Sequence, residues 1–280
     1  YIKYKIINEN KFITIATTRP ETMIGDTGVA VNPGDERYKI LIGKKVLIPV
    51  VNREVEIISD NYVLINQGSG ALKVTPAHDF NDYEIGKRHN LRFINIFEKN
   101  GKINKNAPKD YIGLDRFEAR KKIIAELVKL NLLIKEEKQF MVVPYGDRSG
   151  VIIEPWLTDQ WFCDAKKLSI DPIESVTYGK TKFIPKQWEK TFFNWMENIQ
   201  HWCISRQLWW GHQIPAWYGP DMKVFVALTK EEANEQALKF YKKDTKLKQD
   251  EDVLDTWFSS ALWTFSTLDW PKKSYELKRF

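Results

Sequence analysis

The residues best placed to do chemistry lie between Lys73 and Asp82, where a short strand is predicted to give way to a helix. Lys73 and Thr75 stand two apart in the strand, so their side chains share one face. Asp79 and Asp82 stand three apart in the first helical turn, so they share another. An ammonium, a hydroxyl and two carboxylates therefore converge at one corner. This combination predicts a site for a small polar ligand that carries a positive group.

The same two carboxylates also fit a purely local role. Aspartate is preferred at the position that caps a helix and in the first helical turn, where it meets unpaired N–H groups and the positive end of the helix dipole. A carboxylate that binds an amine would use the same positions. Both interpretations of Asp79 and Asp82 therefore stay open.

The elements around this corner are set by glycine and proline. Gly68 and Gly70 form a turn that leads into the predicted strand from Ala71 to Thr75. Pro76 ends that strand, because proline has no N–H for a sheet ladder. A helix is expected to begin at Asp79.

A second polar segment follows the strand from Phe12 to Ala16: Thr17-Thr18-Arg19-Pro20-Glu21-Thr22. Its hydroxyls and guanidinium suit binding to a phosphate or a sugar edge. The alternative is a strand end followed by a helix start, with Thr18 as cap and Pro20 near the first helical position. The segment alone favours the alternative.

A metal site is a further alternative, built from His78, Asp79, Asp82 and His89, but these residues match no recognised ligand spacing. We therefore expect no metal. The two cysteines, Cys163 and Cys203, form neither a metal pattern nor a disulfide framework. A reducing, cytoplasmic location is the simplest interpretation.

Composition limits the class of protein. The 280 residues are enough for about two domains. The net charge of +6 favours a polyanionic partner without proving one. No apolar run of about 18 residues is present, so no membrane span is expected. The chain opens on Tyr1 without an initiator Met, which predicts a piece of something longer.

The tryptophans divide the chain, because all eleven lie between Trp156 and Trp270. We predict domains at residues 1–150 and 151–280, the first a barrel-like or mixed β domain with two helices and the second richer in helix. Expected strands are Tyr1 to Ile7, Phe12 to Thr17, Val46 to Val51, Glu54 to Ile58, Leu91 to Phe97, Gln139 to Val143, Val151 to Ile153, Gln213 to Tyr218 and Lys223 to Ala227. Expected helices run from Asp115 to Leu130 (buried through Phe117, Ile123, Ile124, Leu127 and Val128), Trp156 to Leu168, Gln187 to Ile199, Thr229 to Tyr241 and Asp255 to Leu268.

Taken together, these segments resemble the class I valyl-tRNA synthetases over nearly the whole chain. Two of them look like facing walls of that family's editing pocket: Thr17 to Thr22 and Gly68 to Tyr83. Four others look like the return path to the synthetic core and elements of its second half: Tyr145 to Gly150, Pro155 to Phe162, Ser205 to His212 and Asp252 to Ser260. Within the class, Lys73-Val74-Thr75 and Arg19 to Glu21 favour the valyl enzymes over leucyl or isoleucyl ones.

The resemblance implies a mixed α/β (α+β) fold, with a barrel-like editing domain followed by part of a Rossmann-type core. It implies hydrolysis of mischarged threonyl-tRNA(Val), with Asp82 pairing with the substrate ammonium. Lys73, Thr75 and Asp79 are then the candidates for contacting the threonine hydroxyl. The terminal adenosine and its phosphate would be held by Thr17, Thr18, Arg19 and Thr22, and Gln67 stands where the family often has Phe.

The family's ATP signatures, His-x-Gly-His and Lys-Met-Ser-Lys-Ser, are absent from this sequence. The resemblance therefore implies that editing needs no cofactor, while ATP and Mg serve only a parent enzyme that ligates valine to tRNA(Val). The expected partner is the 3′ end of tRNA(Val), and the expected state is a monomer. Two other hypotheses stay open, a non-catalytic tRNA-binding module and a metal hydrolase that uses His78.

Overall fold

The structure, a computed structural model, describes residues 1–147 and 149–280. These residues form two compact units, Tyr1–Thr158 and Asp159–Phe280. The predicted mixed α/β class is confirmed. Arg148, part of the segment from Tyr145 to Gly150 that resembles a return path, lies outside the described residues.

The first unit is built on a six-stranded sheet that is nearly closed into a barrel. Its strands are β1 (Ile2–Ile6), β2 (Phe12–Ile15), β3 (Gly28–Val31), β4 (Lys45–Ile48), β5 (Arg53–Ser59) and β6 (Ala71–Val74). They follow the order β2-β1-β4-β5-β3-β6, in which β3 and β5 run parallel and every other neighbouring pair is antiparallel. The edge strands β2 and β6 approach each other, so the sheet curls back on itself.

Alternating burial explains why these segments become strands around one core. In β1, Ile2, Tyr4 and Ile6 are buried while the residues between them are more exposed, which is the period of two that a half-buried strand requires. The strands expected on either side of Asn8 to Asn10 pair as a hairpin, β1 with β2. Strands β4 and β5 also pair as a hairpin, but Arg53 already pairs with Ile48, so the turn occupies residues 49–52. Strand β3 was missed by the sequence analysis because all four of its residues are buried and therefore show no alternation.

Two helices cover the sheet, α1 (Phe80–Arg88) and α2 (Arg116–Lys129). Helix α1 can lie close to Pro76 because it carries Gly86 at the contact, where an added Cβ would stand 2.7 Å from the proline Cγ. Three short 3₁₀ helices complete the unit: Pro20–Gly25, Lys39–Leu41 and Lys109–Tyr111.

Asp115 caps helix α2 as predicted, but the buried stripe of the helix is narrower than expected. Ala119, Ile123 and Leu127 face the core at a spacing of four residues. Phe117 and Val128 are 37% and 55% exposed, so their predicted burial is wrong. The helix packs on the core and on the 3₁₀ helix Pro20–Gly25 through this one row of residues.

Three predicted strands of this unit do not form. Leu91 to Phe97 is irregular apart from a single bridge between Phe97 and Ile103, because the side chains of His78 and Asn104 take up several of its backbone groups. Gln139 to Val143 is also irregular and exposed, since an alternating pattern makes a strand only where a neighbouring edge can pair with it. Val151 to Ile153 is reduced to a single bridge between Tyr145 and Ile152.

The second unit is helix-rich, with small antiparallel sheets among its described residues. Its strands are β7 (Phe162–Cys163), β8 (Trp202–Cys203), β9 (Ser205–Arg206), β10 (Ala216–Tyr218), β11 (Val224–Val226), β12 (Lys248–Gln249) and β13 (Val253–Leu254). Its helices are α3 (Ala165–Leu168), α4 (Ile170–Thr177), α5 (Trp188–Glu197), α6 (Lys230–Tyr241), α7 (Thr256–Ser266) and α8 (Tyr275–Arg279). The Rossmann-type architecture stays an expectation from the resemblance.

The helix predicted from Trp156 to Leu168 is wrong. Only α3, which Asp164 caps, lies in this range, and most of the remainder is irregular. The backbone N–H of Trp161 is taken by the Ser205 hydroxyl at 2.8 Å, and its carbonyl accepts from Ile204 at 2.8 Å. These long-range bonds replace the local bonds of a helix.

The helix predicted from Thr229 to Tyr241 is confirmed, and Thr229 caps its first turn. The Thr229 hydroxyl accepts from the N–H of Glu232 at 3.2 Å. The Glu232 carboxylate accepts from the N–H of Leu228 rather than from that of Thr229. Within residues 1–147 and 149–280, no helix is long and apolar enough to cross a membrane.

Candidate functional site

A cavity of about 600 Å³ lies in the first unit, beside the corner between β6 and α1. Every residue that the sequence analysis assigned to the site lines this cavity, whichever segment it comes from. These residues are Thr17, Thr18, Arg19, Thr22, Gln67, Lys73, Thr75, Asp79 and Asp82.

Lys73 lies buried in the cavity wall and is fully engaged. Its ammonium Nζ donates to the hydroxyl oxygens of Thr22 and Thr75, at 2.6 Å each, and lies 3.3 Å from Oδ1 of Asp26. An ammonium has three donors, so these contacts use all of them. The predicted sharing of one face by Lys73 and Thr75 is thus present as a direct hydrogen bond.

Asp26 was missed by the sequence analysis, although it is central to the polar network. Its Oδ1 accepts from the Thr75 hydroxyl at 2.6 Å, and its Oδ2 accepts from the Tyr4 hydroxyl at 2.7 Å. Burial raises the pKa of Asp26, and the Lys73 ammonium opposes that rise. One sequence signal could have found it, namely a lone carboxylate between the apolar runs at Met23-Ile24 and Val29-Ala30-Val31.

Asp82 has a hydrogen-bond partner on one of its two carboxylate oxygens. Its Oδ2 accepts from the backbone N–H of Thr75 at 2.8 Å, and the residue is 6% exposed. Among the described residues its Oδ1 has no hydrogen-bond partner, so this oxygen is open to a ligand. Burial raises the pKa of Asp82 to about 6, while Lys73 acts in the opposite direction.

The two acidic residues differ in their local roles. Asp79 caps α1, since its carboxylate accepts from the N–H groups of Asn81 at 2.8 Å and of Asp82 at 3.2 Å. The capping interpretation therefore holds for Asp79. It does not hold for Asp82, whose carboxylate binds the end of β6 and not the start of its own helix.

Arg19 joins three segments of the chain. Its Nη1 donates to the carbonyl of His78 at 2.8 Å, and its Nη2 pairs with Glu154. Its backbone N–H donates to the Thr17 hydroxyl at 3.1 Å, and its carbonyl accepts from the Thr22 hydroxyl at 3.0 Å. The guanidinium is thus largely held by the protein itself.

The predicted capping role of Thr18 is wrong, because Arg19 is the residue that precedes the 3₁₀ helix Pro20–Gly25. No side chain caps this helix, and proline occupies its first turn as expected. Thr18 is exposed at the cavity instead, as is Gln67.

Glycine is required in the turn that carries Gln67 to the cavity. Gly68 has a φ of +59° and lies against Ala16, whose Cβ would stand 2.9 Å from an added Cβ. Gly70 has a φ of +77° and lies against Arg37 and the Ile65 carbonyl. Larger residues would push this wall away from β2.

His78 is not available as a metal ligand. Its Nε2 accepts from the N–H of Ile96 at 2.9 Å, and its Nδ1 lies 3.4 Å from the carbonyl of Pro155. Burial lowers the pKa of His78 to about 3, so the ring is neutral. In the part of the chain that the structure describes, no group of three or more His, Cys, Asp or Glu residues could hold a metal ion.

Comparison with known proteins identifies the family. The profile of the family described as "tRNA synthetases class I (I, L, M and V)" matches residues 9–280. A valine–tRNA ligase of Pelagibacter ubique is 61% identical over 280 residues, which are all of this chain and 32% of that protein. One of Caulobacter vibrioides is 56% identical over 269 residues, 96% of this chain and 30% of that protein. A solved structure, GlLeuRS-CP1, is 13% identical with a TM-score of 0.39, over 50% of this chain and 98% of its own.

The chain spans about a third of the length of the curated relatives that it matches. The resemblance noted from the sequence is confirmed, since the relatives named here are valine–tRNA ligases and the similarity to them covers nearly the whole chain. The chain belongs to the class I tRNA synthetases, and within that family its sequence is similar to the valyl enzymes.

Proposed function

We propose that this chain carries the post-transfer editing site of a valyl-tRNA synthetase and hydrolyses the aminoacyl ester of threonyl-tRNA(Val). The observation that carries the proposal is the carboxylate of Asp82, which is buried at the cavity and, among the described residues, has a hydrogen-bond partner on only one of its two oxygens. The names of the relatives, which are valine–tRNA ligases, support the choice of tRNA.

The substrate ammonium binds to Asp82. A charge-assisted hydrogen bond to Oδ1 would complete a carboxylate that now has one partner, the N–H of Thr75 at 2.8 Å. Burial in the cavity strengthens this pairing, because a low local dielectric weakens the competition from water. Asp82 thereby places the aminoacyl group against the polar wall formed by Lys73 and Thr75.

Discrimination follows from that wall. A hydrophobic valine pocket cannot strongly reject threonine, a near-isostere with an added hydroxyl, so a second site has to reverse the preference. Thr22, Lys73, Thr75 and Asp79 bring polar groups to this cavity. Threonine can offer its hydroxyl to the Asp79 carboxylate, of which only Oδ1 is used in capping α1, whereas valine would bury a methyl group there and leave the second oxygen without a partner.

The hydrolytic step uses a water molecule that attacks the ester carbonyl carbon. The bond between that carbon and the ribose oxygen breaks, and threonine and a tRNA with a free terminal hydroxyl are released. His78 is neutral with both ring nitrogens engaged, and we assign no protein nucleophile. Positioning and electrostatic stabilisation therefore supply the rate, and no cofactor takes part.

The terminal adenosine lies along the wall formed by residues 17–22 and Gln67. The Thr18 hydroxyl and the Gln67 amide are exposed there and can donate to a sugar or phosphate oxygen. Arg19 contributes positive charge and orders Thr17 and Thr22, since its guanidinium is already paired with Glu154. This division of roles deepens the one expected from sequence.

The longer protein, by the same proposal, is a cytoplasmic monomer that ligates valine to tRNA(Val) with ATP and Mg. The support is the similarity to relatives about three times as long. The present chain is expected to bind the 3′ end of tRNA(Val) without activating valine.

A deacylation assay on two substrates tests the proposal. The chain is mixed with threonyl-tRNA(Val) and, separately, with valyl-tRNA(Val), and release of free amino acid is followed. Rapid hydrolysis of the first and sparing of the second is expected. Equal rates would contradict editing specificity, and salt-dependent tRNA binding without hydrolysis would identify a non-catalytic binding module. Activity that a chelator abolishes would favour the metal hydrolase.

Replacement of Asp82 separates binding from folding. Asp82→Ala is expected to abolish deacylation while the circular dichroism spectrum and cooperative unfolding are retained, because the carboxylate makes one hydrogen bond to the protein. Asp82→Asn keeps the side-chain shape and an acceptor for the Thr75 N–H, yet lacks the charge for the ammonium. A loss of activity in both variants supports the charge pairing, whereas full activity in either would place the ammonium elsewhere.

A further inference from the structure

A fully buried carboxylate lies beneath the cavity and does not line it. Asp26 is 0% exposed and follows the 3₁₀ helix Pro20–Gly25. Its side chain faces Tyr4, Lys73 and Thr75, and its backbone carbonyl accepts from Arg53 at 2.9 Å. A carboxylate in such a place is costly unless it is paired, so its presence calls for a physical reason.

We propose that Asp26 is a positioning residue of the editing site, the counter-charge that holds the Lys73 ammonium in the cavity wall and so keeps Asp82 free for the substrate ammonium. The inference rests on the proposed function and deepens it. It assigns Asp26 no contact with the substrate.

The charges around the Lys73 ammonium support this role. Of the three partners of the Lys73 ammonium, two are neutral hydroxyls and Asp26 is the carboxylate. A buried ammonium that loses its counter-charge seeks another one. The nearby acidic group is Asp82, on which Lys73 already acts electrostatically. Without Asp26, Lys73 would therefore compete with the substrate ammonium for Asp82.

The donor and acceptor roles in the network also support the positioning role of Asp26. The Thr75 hydroxyl accepts from Lys73 and so must donate its one proton, which goes to Asp26 at 2.6 Å. The Thr22 hydroxyl likewise accepts from Lys73 and donates to the carbonyl of Arg19. Asp26 thus fixes the orientation of a hydroxyl that lines the cavity, because it is the acceptor at the end of the chain of bonds.

A carbon-13 NMR titration of the side-chain carboxyl of Asp82 tests the charge coupling without any tRNA. The groups that face this carboxyl are Lys73, Asp79 and Asp26, and all stay in place in the wild-type chain, where the midpoint is expected near pH 6. In Asp26→Asn the midpoint is expected to fall by about one pH unit or more, because the freed ammonium turns to Asp82 and because the direct repulsion between the two carboxylates is removed. Asp26→Asn in a Lys73→Gln background retains only the second cause, so an equally large fall there would assign the shift to repulsion alone and contradict the role of Lys73. An unmoved midpoint in a folded variant would overturn the proposal.

Deacylation kinetics provide the second measurement. In Asp26→Asn, kcat/KM for threonyl-tRNA(Val) is expected to fall by about 100-fold, mainly through a higher KM, as the ammonium loses its partner. If Asp26 were merely structural, its replacement would lower the stability of the chain and leave kcat/KM unchanged. That result would overturn the positioning role. Asp255→Asn, which removes a buried carboxylate paired with Arg206 in the second unit, is the matched control and is expected to keep wild-type deacylation.

A double-mutant cycle covers the case in which Asp26→Asn does not fold. Lys73→Gln removes the ammonium, so Lys73→Gln with Asp26→Asn leaves no uncompensated buried charge. If Asp26 acts through Lys73, the second substitution changes kcat/KM by less than about twofold in this background. A further large loss would overturn the proposal. A wild-type chain without deacylation would contradict the proposed function, while the NMR titration would still decide whether Asp26 acts on Asp82.

Discussion

Lys73 and Asp82 show how a resting site can hold one charge fully paired beside another that is only partly paired. The Lys73 ammonium has three protein partners, whereas the Asp82 carboxylate has a hydrogen bond to one of its two oxygens. An arriving ammonium can therefore pair with Asp82 without breaking any hydrogen bond of Lys73. Such an arrangement costs stability when the site is empty and returns that cost on binding, which is typical of pre-organised polar sites.

The pH dependence of deacylation is expected to report Asp82. Burial raises the pKa of its carboxyl to about 6. Below that pH the carboxyl is protonated and cannot pair with the ammonium, so kcat/KM should fall as the pH is lowered through about 6 and level off above about 7. Rates between pH 4.5 and 8 on threonyl-tRNA(Val) give the profile. A flat profile down to pH 4.5 would show that ionised Asp82 is not required.

Gln67 provides a test of the adenosine wall. It is exposed at the cavity, in the turn that precedes β6. Gln67→Phe is expected to lower KM for threonyl-tRNA(Val) by about fivefold or more, since stacking of a base on an aromatic ring contributes about 1–3 kcal/mol. Gln67→Leu, apolar but unable to stack, is the control and should change KM less. An equal effect of both would assign the wall to apolar contact alone.

Site residues that lie in one element could be predicted from the sequence, but partners that are distant in the sequence could not. Two-residue spacing in a strand placed Lys73 beside Thr75. Nothing local linked either residue to Asp26, which is 47 positions from Lys73 and meets it only through the closure of the sheet. Glu154 was missed for the same reason, since its pairing with Arg19 crosses 135 positions.

At the scale of elements, the sequence specified the hairpins and the start of α1 because their causes are local. The turn residues Asn8 to Asn10 reverse the chain between β1 and β2, and Asp79 caps α1. Leu91 to Phe97 carries a similar apolar pattern but forms no strand, because its partners are the side chains of His78 and Asn104. A periodic pattern shows which residues are buried, but not whether a neighbouring edge exists to pair with them.

The turn before β6 is expected to be sensitive to one added methyl group. In Gly70→Ala the new Cβ would stand 2.3 Å from the guanidinium of Arg37 and 2.9 Å from the carbonyl of Ile65, at a φ of +77°. Urea unfolding should show a loss of about 3 kcal/mol, from backbone strain and crowding together.

Gly43→Ala is the matched control for this substitution. Gly43 has a φ of +84°, and nothing lies within 4 Å of an added Cβ. Only the backbone term remains, so a loss of about 1–2 kcal/mol is expected. Equal losses for the two variants would show that the contacts of Gly70 with Arg37 and Ile65 do not hold the turn.

At the scale of the whole molecule, the boundary between the two units can be located by comparing the stabilities of truncated chains. The sequence predicted domains at residues 1–150 and 151–280, from tryptophan content and a turn. The structure's compact units divide after Thr158. Residues 151–158 lie with the first unit because Glu154 pairs with Arg19 and Arg116, and because the indole N–H of Trp156 donates to the carbonyl of Phe97 at 3.2 Å.

Two truncated chains are therefore expected to differ. A chain of residues 1–158 should unfold cooperatively in urea and keep deacylation, since it contains the sheet, both helices and the cavity. A chain of residues 1–150 should be less stable by about 3 kcal/mol or more, because Arg19 and Arg116 lose the carboxylate that pairs with them. Glu154→Gln in the longer chain should reproduce part of this loss. If both chains unfold at the same urea concentration and hydrolyse threonyl-tRNA(Val) equally, the return segment has no part in holding Arg19 and the boundary at 150 is the better one.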